Sequence, residues 1–115
     1  MQPDGQDLRR RLDLLVSGMT RLRHDGRFDE PNLDGTAGDY ISFDAWEWPQ
    51  GVGLYGLVPL WLRRRDPDLR RLVEDWYAHN LARGLPGLNI NTTGPMLALS
   101  MLWAETRDPR WLPAL

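Results

Sequence analysis

Apolar residues stand at Leu8, Leu12, Leu15, Met19 and Leu22, with Arg9, Arg10, Asp13 and Arg21 largely between them. Alternating steps of four and three follow one face of a helix, so the spacing predicts an amphipathic helix over 6–23. The stretch 24–43 is rich in Asp, Gly, Pro and Asn and reads as a long loop. From Pro49 to Leu62 the pattern changes. No residue is charged, and Val52, Leu54, Tyr55, Leu57, Val58, Leu60 and Trp61 leave no polar face. Proline suits the first turn of a helix, where its missing N–H would have had no partner. The run is shorter than the roughly 18 apolar residues of a membrane span, so a helix enclosed by protein is predicted. Pro59 inside it is expected to bend it. Asp66-Pro67 then supplies a cap and a first turn, and Leu69, Leu72, Val73 and Trp76 predict a second amphipathic helix ending near Gly84. Past the loop LPGLNIN, the uncharged stretch from Thr92 to Ala104 predicts another enclosed helix, and Asp108-Pro109 opens one more.

The alternation repeats. Leu60, Trp61, Arg65, Asp66 and Pro67 recur as Leu102, Trp103, Arg107, Asp108 and Pro109, all at an offset of 42. Self-similarity on this scale marks a repeated supersecondary unit, here an uncharged helix followed by a charged one. Stacked hairpins of this kind form a solenoid or a closed ring of helix pairs. The second hairpin stops soon after it opens, so further repeats are expected to cover its edge. The isolated chain is then expected to self-associate through that apolar edge.

Between Gly51 and Gly56 the residues spell G-V-G-L-Y-G, which matches a dinucleotide fingerprint. That fingerprint needs a β-strand ahead of its first glycine, and W-E-W-P-Q is not one. Gly53 and Gly56, three apart, are instead expected to let a neighbouring helix approach closely.

Composition narrows the function classes. The 115 residues allow one small domain, 42% hydrophobic and 26% charged. With 14 Lys and Arg against 16 Asp and Glu, the net charge is −2 and no nucleic-acid footprint is visible. The absence of cysteine excludes disulfides and thiolate metal sites. His24 and His79 have no partner at ligand spacing, so neither a metal nor a cofactor is expected. The opening MQPDGQDLRRRLD has no apolar signal core, and a cytoplasmic location without membrane contact is expected.

Under the offset of 42, Trp48-Pro49-Gln50 corresponds to Ile90-Asn91-Thr92, which places both segments at the same end of the hairpins. Helix starts present free N–H groups to anions such as carboxylates. Tryptophans, amides and hydroxyls are also the groups that stack on and hydrogen-bond to sugars. Each residue has a structural reading beside this one. Trp46 and Trp48 also suit a core or a hydrophobic staple. Asn91, Thr92 and Thr93 suit helix caps, and the sequon they form has no secretory signal to accompany it. Asp44 and Glu47, three apart, could be an acid/base pair or partners of the helix dipole. Arg63, Arg64 and Arg65 complement the C-terminal dipole of their helix.

Taken together, W-E-W-P-Q-G-V-G-L-Y-G-L, N-I-N-T-T-G-P-M-L-A-L-S-M-L and E-T-R-D-P-R-W resemble the N-terminal part of glycoside hydrolase families 88 and 105. These are the unsaturated glucuronyl and unsaturated rhamnogalacturonyl hydrolases. The likeness runs from about Asp44 onward. It implies an all-α fold of helical hairpins forming part of an (α/α)6 barrel, with residues 1–115 as its N-terminal portion. It implies as partner an oligosaccharide ending in an unsaturated uronic acid, whose C4=C5 double bond is hydrated with an aspartate as proton donor. Trp46, Trp48 and Gln50 match the family's cleft-lining motif, and Asn89 to Thr93, with Asn89, Asn91 and Thr92 as binding residues, match the next cleft-facing helix start. Some members carry an aspartate where Asn91 stands, and the principal catalytic aspartate is expected beyond Leu115. The chain alone is therefore expected to be inactive, with Asp44 and Glu47 its only candidates for catalysis. Two other readings remain open: a helical-repeat interaction module, and a six-hairpin protein with different sugar chemistry.

Overall fold

A computed structural model describes residues 4–27, 31, 35 and 37–115; the loop read over 24–43 is thus seen in part. Among these residues every regular element is helical. The chain divides into two compact units, residues 1–43 and 44–115.

In the first unit α1 runs Gly5–Thr20. Asp4 caps it by accepting the Asp7 N–H at 2.7 Å, as a carboxylate at a helix start should. The helix ends three residues before the predicted limit of 23. There the Arg23 guanidinium binds the carbonyls of Thr20 and Leu22 at 3.1 and 2.6 Å. No residue of α1 is buried, and Leu8 and Leu15 of its apolar stripe are exposed, as is Leu22 just beyond its end. The chain returns to this segment at 39–43. Phe43 N–H donates to the Leu22 carbonyl at 3.0 Å and His24 N–H to Ser42 Oγ at 2.9 Å. Burial raises the Asp39 carboxyl, but hydrogen bonds from Ser42 and Ile41 outweigh it and hold Asp39 below its ordinary value.

The second unit holds α2 (Trp48–Arg64), α3 (Pro67–Arg83), α4 (Gly94–Thr106) and a short 3-10 helix, Pro109–Ala114. Its hydrogen bonds and packing fix the directions. At one end Gly51 of α2 lies against Gly94 of α4. At the other, Arg65 Nη1 reaches Glu105 Oε1 at 2.9 Å. Thus α2 and α4 are parallel neighbours. Early in α3, Arg70 covers the Trp61 ring near the end of α2, and late in α3 the Tyr77 hydroxyl donates to the Pro95 carbonyl at 2.7 Å. So α3 is antiparallel to both. The core is built from Leu54, Leu57, Val58 and Trp61 of α2, Leu69, Val73, Trp76 and Tyr77 of α3, and Ala98, Leu99 and Leu102 of α4.

The repeat is visible at the C-terminal ends. Arg65 and Arg107 both take the left-handed conformation, at φ of 52° and 53°, and donate their N–H groups back to Trp61 and Trp103. Asp66 and Asp108 then cap the following helices by accepting from Asp68 and Arg110. Val52 and Tyr55 of α2, with Leu97 of α4, are exposed. One expectation is corrected. A Cβ on Gly56 would meet nothing within 4 Å, whereas one on Gly51 would lie 2.5 Å from the Gly94 carbonyl carbon. Close approach is the role of Gly51, not of Gly56. Pro59 lies inside α2, which continues without a break, and the carbonyl it leaves without a helical donor belongs to exposed Tyr55.

Candidate functional site

The two uncharged helices begin side by side, and their first turns touch through glycine. A Cβ on Gly94 would lie 2.8 Å from the Trp48 Cα, the mirror of the constraint at Gly51. Any larger residue at either position would push the helix starts apart. Proline follows the first residue of each helix, at Pro49 and Pro95, so neither contributes an unpaired N–H in the first turn. These matching prolines are 46 residues apart, not 42. The helix α4 starts a turn later than the offset of 42 implies, and N-I-N-T-T forms a hydrogen-bonded turn ahead of it.

That turn occupies most of its own polar groups. Asn89 Oδ1 accepts the N–H groups of Asn91 and Thr92 at 2.8 and 3.1 Å. Thr92 Oγ1 donates to the Gly87 carbonyl at 2.8 Å and accepts the Asn89 N–H at 2.9 Å. Thr92 is buried, and Thr93 Oγ1 turns back to the Ile90 carbonyl. Asn91 differs. It is half-buried, and its side-chain amide forms no hydrogen bond among the described residues.

The sequence groups Trp46 and Trp48 together, and the structure separates them. Trp46 is 5% exposed and Trp48 is 51% exposed. The Trp46 ring stacks on Trp76 at 5.3 Å and meets Tyr77 edge-on at 5.9 Å. Its Nε1–H donates to the Thr92 carbonyl at 2.7 Å, which ties the residues ahead of α2 to those ahead of α4. Trp46 is therefore a core residue that joins the two helix starts from behind, with no surface to offer a ligand. Gln50 is also buried, at 5%; its place on the inner side of the first turn removes it from the open surface assigned to it by sequence. Trp48, on the outer side, keeps a bare indole.

Two carboxylates stand just before α2. Asp44 is half-buried and forms no hydrogen bond among the described residues. Glu47 occupies the cap position without capping, and its Oε2 is closed off from solvent with no hydrogen-bond partner among the described residues. Burial pushes the Glu47 carboxyl above its ordinary value, opposed by a hydrogen bond from the Trp48 backbone. Among the described residues no group of three or more His, Cys, Asp or Glu could hold a metal ion. No described helix is long and apolar enough to cross a membrane.

Two supporting residues escape a reading of the sequence alone. Gly94 carries the same contact as Gly51, and the Gly-Pro pair at 94–95 is its signal. Tyr77 braces the start of α4 through Pro95, and burial pushes its hydroxyl far above the ordinary value. Nothing in the helical pattern distinguishes that tyrosine from any other core residue.

Bare indole, unengaged amide and abutting helix starts can be compared with known proteins. The model of Glycosyl Hydrolase Family 88 matches residues 24–115, which include both helix starts. The unsaturated rhamnogalacturonyl hydrolase YesR of Bacillus subtilis (strain 168) is 32% identical over 68 residues, covering 59% of this chain and 20% of that protein. Two solved structures are similar over 98% of this chain and 31% of theirs, each with a TM-score of 0.87. Both are described as possible members of the GH105 family. One is from Klebsiella pneumoniae subsp. pneumoniae MGH 78578, at 28% identity, and the other from Salmonella enterica subsp. enterica serovar Paratyphi A str. ATCC 9150, at 30%. The hairpins described above are those of a six-hairpin glycosidase, and the chain spans about a third of such a structure. With its family model matched over residues 24–115, the chain belongs to glycosyl hydrolase family 88.

Proposed function

We propose that this chain forms part of the sugar cleft of an enzyme that removes a terminal unsaturated uronic acid from an oligosaccharide. The proposed reaction adds water across the C4=C5 double bond. A proton goes to C4 and hydroxyl to C5, and the resulting hemiketal opens to release the sugar. This differs from displacement at the anomeric carbon by two carboxylates, and it needs one well-placed acid/base group. The reading assigns that group to an aspartate outside residues 1–115, because Asn91 cannot titrate.

The observation that carries the reading is the pair of joined helix starts. Trp48 offers an exposed ring for a sugar face, and Asn91 offers an amide not used elsewhere. Two parallel helices also bring their positive dipole ends together, which favours the uronate carboxylate. Asn89 and Thr92 act indirectly by fixing the turn that carries Asn91, and Trp46 and Gln50 support the surface from behind.

The test uses a family-length protein carrying this chain and an unsaturated uronyl disaccharide. Loss of the near-ultraviolet absorbance of the double bond reports turnover. Trp48→Ala is expected to lower kcat/KM about 10- to 100-fold, equivalent to about 1.4–2.7 kcal/mol, with little change in melting temperature. Cleavage of a saturated glycoside with the unsaturated one untouched would overturn the reaction, and unaltered kinetics in Trp48→Ala would overturn the cleft.

A further inference from the structure

Two polar hydrogens leave the buried aromatic cluster for the start of α4. Trp46 Nε1–H donates to the Thr92 carbonyl and the Tyr77 hydroxyl to the Pro95 carbonyl, each at 2.7 Å. Gly94 lies between those carbonyls, against the Trp48 backbone, and Asn91 directly precedes the first of them. The core thus grips this segment on both sides of Gly94.

The two bonds are not equivalent. The Thr92 carbonyl stands ahead of α4, and the Met96 N–H that could have served it goes to Thr93 instead. Trp46 therefore satisfies a carbonyl that the helix leaves open. The Pro95 carbonyl lies inside α4, where the Leu99 N–H, four residues on, is its regular donor. The Tyr77 bond is additional to that ladder, so the helix does not need it to form. What it adds is a fixed point. The Tyr77 ring is fully buried and meets Trp46, Trp76 and Trp111 edge-on at 5.9, 5.0 and 6.2 Å, so its hydroxyl cannot follow a shift of α4. Burial keeps that hydroxyl protonated, and hence a donor, well beyond the ordinary tyrosine range.

We infer that Tyr77 is a positioning residue for the proposed hydration, holding the start of α4 so that the Asn91 amide is aimed at the unsaturated uronate. The inference rests on the function proposed above and adds to it a residue that never touches the sugar. A misplacement of about 1 Å can cost about 100-fold in rate. A contact that aligns the transition state is lost from kcat and kcat/KM together.

Tyr77→Phe in a family-length protein carrying this chain removes only the hydroxyl. With an unsaturated uronyl disaccharide, kcat is expected to fall about 10-fold while KM stays within about twofold. The pH at which kcat is greatest should not move, because Tyr77 transfers no proton. Val73→Ala is the comparison, since it opens a cavity one turn earlier in α3 at another fully buried residue. It should lower the melting temperature at least as far as Tyr77→Phe and leave kcat within about twofold. Unchanged kcat in Tyr77→Phe overturns the inference, as does an equal loss of kcat in Val73→Ala, which would make the effect one of stability. A raised KM at constant kcat would assign the hydroxyl to ground-state binding, and a displaced pH optimum would assign it to proton transfer. A Tyr77→Phe chain that does not fold would assign it to the core, and each of these results also overturns the inference. If the unaltered protein leaves the double bond intact, the proposed function itself fails, and this inference with it.

Discussion

At their C-terminal ends α2 and α4 are copies, and at their N-terminal ends they are not. Both finish on a left-handed arginine followed by an Asp-Pro cap, with matching hydrogen bonds to a tryptophan one turn back. Their starts differ in length, in sequence and in the turn that precedes them. The copied ends perform a structural task that any hairpin in the series must perform, which is to stop one helix and turn into the next. The divergent ends carry Glu47, Trp48 and Asn91. The proposed sugar contacts thus fall where the scaffold stops being periodic, as expected when a repeated frame holds variable loops.

The sharpest way to break this contrast is at the glycines. Gly51→Ala puts a methyl group 2.5 Å from backbone that cannot move aside, and it is expected to cost about 2–3 kcal/mol of stability. Gly56→Ala, with nothing within 4 Å, should instead gain up to about 1 kcal/mol from helix propensity. Denaturant midpoints of the two variants should move in opposite directions. If both move the same way, the helix starts are not joined as described.

A smaller effect separates the two tryptophans. Trp46→Phe keeps an aromatic ring but leaves the Thr92 carbonyl without its donor, at an expected cost of about 1–3 kcal/mol. Trp48→Phe should stay within about 0.5 kcal/mol, as for other surface changes. Equal losses in thermal unfolding would mean that Trp48 is also part of the core.

The smallest effect is a change of slope with pH. Burial raises the Glu47 carboxyl in the folded chain. As pH rises above the ordinary carboxylate range, the unfolded chain releases this proton first, so the folded state loses relative stability up to the raised value. Glu47→Gln is expected to match the unaltered protein in acid and exceed it at neutral pH. Parallel stability curves across that window would show that Glu47 titrates normally.

Much of the frame is legible in the sequence, for identifiable reasons. Charge-free runs, Asp-Pro caps and the offset of 42 each have a local physical cause, so α2, α3 and α4 fall near their expected limits. The errors arise where a single offset is carried to the helix starts. Aligning Trp48-Pro49-Gln50 with Ile90-Asn91-Thr92 assumes equal helix lengths, whereas the touching glycines are 43 apart and the matching prolines 46. Periodicity also cannot tell Trp46 from Trp48. They flank Glu47, and only the position of Trp76 and Tyr77 decides which ring is covered. Asn89 and Thr92 carry groups that suit a sugar equally well, and their use within the turn depends on backbone geometry that no spacing rule specifies.

The unequal treatment of the six tryptophans gives the molecule a built-in optical signal. Trp46 and Trp76 are stacked on each other, and Trp61, Trp103 and Trp111 each lie beneath an arginine guanidinium. Trp48 alone has no ring or cation partner among the described residues, and half of it faces water. Its emission therefore forms the red edge of the intrinsic fluorescence, where polar quenchers reach it first. A sugar that covers the Trp48 ring in the proposed cleft should shift that edge to the blue and shield it from iodide, so occupancy can be read without a label.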